Sequence, residues 1–164
     1  MKAGCIVAAA LVAACRIAPA GLTDEHARAI VDSVRATFAD YVVRLNARDI
    51  DSVFRFYADA PGFQWVEDGA VRYATRAEMR AAFERLAGVK DVRFSADAPR
   101  IVALAPGAAS LAVTFDQAMV DSAGAGVGIA GAMSIAAVHS PAGWKWLTGH
   151  TSLRREPIAP AASR

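Results

Sequence analysis

Apolar side chains recur every three or four residues between positions 22 and 48. Ala27, Ile30, Val31, Val34, Phe38, Tyr41, Val42 and Leu45 fall on one stripe, which predicts a long amphipathic helix. Thr23 is a suitable N-cap, and Asp24 and Glu25 sit where carboxylates favour the helix dipole. Tyr41 lies on the stripe, so its ring is expected inside and its hydroxyl needs a partner. Asp49 or Asp51 can cap a second, shorter helix through Val53, Phe54 and Tyr57. Pro61-Gly62 breaks the chain. Residues 63–67 and 70–74 then read as strands around Asp68-Gly69, a pair suited to a tight hairpin turn. A two-residue loop sets Trp65 opposite Arg72, within reach of a cation–π contact, and turns Asp68 to solvent. Thr75 and Glu78 form a capping box ahead of a third helix. Its stripe is Met79, Ala82, Phe83 and Leu86, and Gly88 ends it.

The period shortens to two after residue 89. Strands are predicted over 92–95, 100–104, 110–120, 127–139 and 144–153, with turns at Pro106-Gly107, Gly124-Ala125-Gly126 and Pro141-Ala142-Gly143. Helices first and antiparallel strands afterwards make an α+β pattern. Residues 155–164, with Pro157 and Pro160, read as a disordered tail. Unbroken pairing through the 140–143 turn sets His139 opposite Trp144, Ala137 opposite Trp146, Ile135 opposite Thr148, Met133 opposite His150 and Gly131 opposite Ser152. All of these share a face with the two tryptophans, so His150 and Ser152 are expected to point inward and Thr151 outward. In the preceding strand Leu111, Val113, Phe115, Gln117 and Met119 share the inward parity, with Gln117 its polar interruption.

Composition adds a compartment. The chain is 55% hydrophobic, but part of that lies in its first fourteen residues. Lys2 followed by the apolar run 3–14, too short to span a bilayer, reads as an export signal over residues 1–20. Two processing readings stand. Ala18-Pro19-Ala20 fits a signal peptidase site, and Val12-Ala13-Ala14-Cys15 resembles a lipobox that would lipidate Cys15. The protein is therefore expected in the periplasm or anchored by lipid to the cell envelope, with a single domain over 21–154. Membrane contact is expected only through that anchor. Both cysteines, Cys5 and Cys15, lie in the signal, so the domain is held by packing and not by disulfides. Without Lys2 and Arg16, the remaining 16 basic residues balance the 16 acidic ones, which argues against nucleic acid as a partner.

A long helix, a short one running into Phe56-Tyr57-Ala58-Asp59, a hairpin, a third helix and a long antiparallel sheet resemble the nuclear-transport-factor-2-like superfamily. Ketosteroid isomerases, SnoaL-type polyketide cyclases and many uncharacterised bacterial proteins belong to it. The resemblance covers residues 22–154. It is carried by Arg48-Asp49-Ile50-Asp51 through Asp59, and by Gly143-Trp144-Lys145-Trp146 running into His150-Thr151-Ser152; the second stretch is similar to the closing strand of the SnoaL-like branch. It implies a cone-shaped roll, a curved antiparallel sheet wrapped around the long N-terminal helix and two shorter ones. It also implies one open pocket and, often, a homodimer through the sheet's outer face. In ketosteroid isomerases the general base is an aspartate on the first strand. Counting from Tyr57 or back from Met79 puts Trp65 there, and a neutral indole cannot abstract a proton.

The residues that remain suggest a pocket rather than a reaction. Phe63, Trp65, Phe115, Met133 and Trp146 can surround a small, largely apolar ligand, whose polar atoms would meet His150 and Ser152 with Tyr41, Arg72 or Gln117 assisting. The alternatives are an isomerase, dehydratase or cyclase with His150 as acid–base group, and a dimeric association module with a filled interior. His26 and His139 read as solvent-facing. No histidine pair has metal-ligand spacing, so no metal and no cofactor are expected. The glycines at 124–128 lack the lysine and following helix of a phosphate loop.

Overall fold

Each helix begins where its sequence supplies a cap. The computed structural model describes residues 21–84, 89–120, 123–124 and 126–154. The export signal with Cys15, the third-helix stop at Leu86 and Gly88, and the tail lie outside these residues. In α1 (Asp24–Asn46) the Thr23 hydroxyl accepts a hydrogen bond from the His26 amide, and Val34, Phe38, Tyr41 and Leu45 form the buried face. Two residues fix its far end. The Asn46 side chain pairs with both the N–H and the C=O of Phe94. Arg48 adopts a left-handed backbone (φ 56°), and its guanidinium donates to the carbonyls of Val89 and Lys90. Helix α2 (Ile50–Phe54) is capped by Asp49 and is too short to persist alone. Cations hold its C-terminal carbonyls, where they also favour the helix dipole: Arg76 donates to Phe54 O (Nη2, 2.7 Å) and Lys145 to Arg55 O.

Strands β1 (Gln64–Glu67) and β2 (Ala70–Tyr73) form the expected hairpin. Asp68 (φ 47°) and Gly69 (φ 86°) supply the two positive φ angles of its turn. The register departs from expectation by a bulge. Val66 pairs with Val71, but Trp65 pairs with Tyr73 rather than Arg72. The expected Trp65–Arg72 stacking is thus not made. Arg72 is exposed and lies 3.8 Å from the Glu67 carboxylate. Helix α3 (Arg76–Glu84) carries the capping box in full: Glu78 accepts from the Ala74 and Thr75 amides, and the Thr75 hydroxyl accepts from the Glu78 amide.

The remaining strands are β3 (Asp91–Ala96), β4 (Arg100–Ala105), β5 (Ala108–Val120), β6 (Gly126–Ser140) and β7 (Gly143–Leu153). They complete a sheet in the order β2-β1-β7-β6-β5-β3, and β4 also pairs with β5. β4 pairs along residues 108–112 of β5 and β3 along 115–120. β7 is central, antiparallel to β6 and parallel to β1. The sheet's inner face packs on α1 through a core that includes Leu111, Val113, Phe115, Ile135, Trp144 and Trp146. This is an α+β fold, with the long N-terminal helix cradled by the sheet.

β7 holds the main correction to the sequence reading. Pairing follows expectation from Ser140↔Gly143 to Ala137↔Trp146, then slips: Ala136 faces Thr148, and Leu147 has no partner on β6. The other edge of β7 changes partner at the same place. The Trp146 N–H and C=O bond to Phe56 and Ala58, whereas Thr148 onward pairs with β1. The extra residue absorbs this change. Downstream of it every side chain is reversed, so Gly149 and Thr151 turn inward and His150 and Ser152 are exposed on the outer face. Both sides of the swap have a physical cause. An imidazole turned inward would surrender its hydration, and the inner position beside Trp65 admits only glycine. A Cβ at Gly149 would lie 2.1 Å from the Trp65 ring.

Candidate functional site

Between the inner face of the sheet and the helices lies a cavity of about 510 Å³. Its walls are mostly apolar, with Leu45 of α1, Met79 of α3 and a stacked Phe94–Phe115 pair (5.4 Å between centroids) joined by Ile129 and Met133. The interior is not filled by side chains, as the association-module reading required.

Polar groups enter this apolar space from defined positions. Tyr41 comes from the buried face of α1, and Tyr57 from the segment after α2 whose neighbours bond to Trp146. Their hydroxyls are 2.9 Å apart, and the rings are 5% and 3% exposed. Burial raises both phenol pKa values, that of Tyr57 furthest because the neighbouring Tyr41 and the Glu67 carboxylate add to the shift. Both are therefore neutral phenols. Two O–H groups share one hydrogen bond, so one proton of the pair is left over. Trp65, on β1, lies flat over Gly149 and donates from Nε1 to the Thr151 hydroxyl at 3.1 Å.

Glu67 and Asp68 stand on the side open to solvent. Asp68 is exposed, and its carboxylate accepts from the Leu153 amide. Glu67 lines the cavity. Burial holds its carboxyl above the usual range, the Asp68 charge adds to the shift, and Arg72 opposes it. A raised carboxyl pKa means that the folded state binds the proton more tightly than the unfolded chain. Glu67 therefore supports folding fully at acid pH, and that support is lost as the pH rises through its folded-state value. Glu67→Gln should raise the midpoint of thermal unfolding at neutral pH and flatten its dependence on pH above the ordinary carboxylate range. Melting curves at a series of pH values check this, and an unchanged slope would count against it.

The cavity brings together Tyr41, Trp65, Phe115, Gln117 and Met133 from the sequence reading. Phe63 and Trp146 are buried in the core and do not line it. Arg72 lies on the exposed hairpin. His150 and Ser152 lie in a shallow depression on the opposite face of the sheet, beside Ser134, Thr114 and Arg100. The bulge in β7 puts them there, so His150 is not placed to act on anything held in the cavity. Three residues were missed. Glu67 was legible, since the alternation that turns Trp65 inward turns Glu67 inward too. Tyr57 reads from the sequence as part of the second helix, which ends instead at Phe54, and Thr151 turns inward only through the bulge. Among the described residues, no three of His, Cys, Asp or Glu converge as metal ligands, and no helix is long and apolar enough to cross a membrane.

No family model matches the sequence, and no curated protein matches it. Solved structures do. A candidate scytalone dehydratase from Novosphingobium aromaticivorans superposes with a TM-score of 0.71 at 9% identity, covering 87% of this chain and 99% of that one. A nuclear-transport-factor-2-like superfamily protein from Salmonella enterica gives 0.68 at 12% identity over 83% and 99%. A ketosteroid isomerase-like protein from Erwinia carotovora gives 0.62 at 17% identity over 76% and 96%. The chain has the nuclear-transport-factor-2-like fold, as its resemblance implied.

Proposed function

We propose that the cavity binds one small, largely apolar molecule that presents a carbonyl or similar oxygen to the Tyr41–Tyr57 pair. The carrying observation is the unspent phenol proton. No acceptor for it is found among the described residues, and it lies in a cavity walled by rings and methyl groups. An oxygen placed there gains a hydrogen bond shielded from bulk water. The test is calorimetric titration with α-tetralone, a bicyclic aryl ketone. Replacing both tyrosines, Tyr41→Phe with Tyr57→Phe, should weaken binding about five- to tenfold, roughly the net worth of one buried hydrogen bond, while Tyr73→Phe should leave it unchanged. Equal affinity in all three proteins would refute the reading.

A second reading has its own support. Glu67, with its raised carboxyl pKa, and a neutral phenol donor in one cavity are the ingredients of proton transfer next to a carbonyl. Proteins described as a dehydratase and as ketosteroid isomerase-like share the fold. In this reading Glu67, not His150, moves the proton, and Glu67→Gln would abolish turnover while α-tetralone still binds. We also propose export, on the sequence of residues 1–20. Palmitate incorporation at Cys15, or a mature chain beginning at Gly21, would distinguish the two processing routes, and a retained Met1 would reject both.

A further inference from the structure

A hydrogen count around Trp65 extends the proposed function, on which this inference rests. The Thr151 hydroxyl accepts the indole N–H of Trp65 at 3.1 Å. A hydroxyl has one proton of its own, and accepting a hydrogen bond does not consume it. The Thr151 proton finds no acceptor among the described residues. The Thr151 backbone carbonyl, a nearby acceptor, is taken by the Asp68 amide at 3.1 Å. Thr151 lines the same cavity as the tyrosines. The indole fixes the oxygen from one side and so limits where its proton can turn. The cavity thus holds a second unspent donor besides the tyrosine pair, on another strand and across the Trp65 ring, whose centroid is 5.7 Å from that of Tyr57.

We infer that Thr151 is a specificity-determining donor, and that the preferred ligand carries two acceptor oxygens on an apolar ring skeleton, one for the phenols and one for Thr151. A ligand with a single oxygen leaves one donor facing a methylene. The cost is that of a half-buried donor left without an acceptor on the ligand. The Trp65–Thr151 bond has a positioning role here: it holds the hydroxyl oxygen at the indole N–H.

The experiment uses two probes of nearly one shape. α-Tetralone has one oxygen; chromanone is the same bicycle with a ring oxygen in place of a methylene. Calorimetric titration of the unaltered protein should show chromanone bound about three- to tenfold more tightly. Thr151→Ser should keep that preference and Thr151→Val should erase it. Thr151→Val also strips Trp65 of its acceptor, so the pair of titrations is repeated on Trp65→Phe, which has no N–H to lose. If Thr151 acts on the ligand, adding Thr151→Val to Trp65→Phe still erases the preference. Binding of both probes without preference, or a preference that survives Thr151→Val, overturns the inference and leaves the pocket intact. Binding of neither probe overturns the pocket reading and this inference together.

Discussion

Gly149→Ala should cost about 2–3 kcal/mol of folding stability, the upper part of the range for an overfilled core. The added Cβ would meet Cζ3 of Trp65 at 2.1 Å and two further ring atoms at 2.4 Å. A rigid indole cannot yield by rotating a distal bond, so the ring must move as a whole. It is tied to Thr151 and is 5% exposed, and the space open to it is the cavity. The variant should therefore also bind α-tetralone poorly. Urea denaturation measures the stability term, with Trp65→Ala as the second arm of a cycle. Without the indole, the cost of Gly149→Ala should fall below about 0.5 kcal/mol, since glycine in a strand confers nothing by itself. An equal cost in both backgrounds would show that the collision is not its source.

Trp146→Ala should be more damaging, about 3–5 kcal/mol. Trp146 is fully buried, stacks on Phe56 and meets Tyr41 edge-on. Its loss opens a void behind the tyrosines, at the point where β7 exchanges one neighbour for another. Trp146→Phe should behave differently. The indole nitrogen has no hydrogen-bond partner, so phenylalanine removes a buried donor that was already stranded. The gain from losing that penalty offsets lost contact area, and the net cost should stay below about 1.5 kcal/mol. Thermal unfolding of both variants checks the contrast. Similar losses for the two would mean that the nitrogen is satisfied.

Local rules of short range were readable in the sequence. Thr23, Asp49 and the Thr75–Glu78 box cap helices as their types dictate, and Asp68-Gly69 turns as its φ angles require. The stripe on α1 identified Val34, Phe38, Tyr41 and Leu45 as its buried face. Alternation along β5 likewise placed Phe115 and Gln117 toward the cavity. What escaped was non-local. Counting alternate residues from Trp146 reaches His150, and only the partner change at Trp146 inserts the residue that reverses the count. Arg72 was displaced for a similar reason, by a bulge opposite Trp65. The tyrosine pair needed two segments sixteen residues apart to meet. Periodicity describes each segment by itself and carries no information about such meetings.

β7, which follows the other described strands in the chain, has a place in the middle of the sheet. Until residue 153 has left the ribosome, a nascent chain holds a hairpin and a separate four-stranded piece with nothing between them. Its tyrosines and Trp65 lack the wall that Gly149 and Thr151 supply. Helix α1 can form early, but the binding chamber cannot close during translation. A chain stalled before β7 should remain open to proteases around β1 and β2, whereas a chain extended past residue 153 should protect both together.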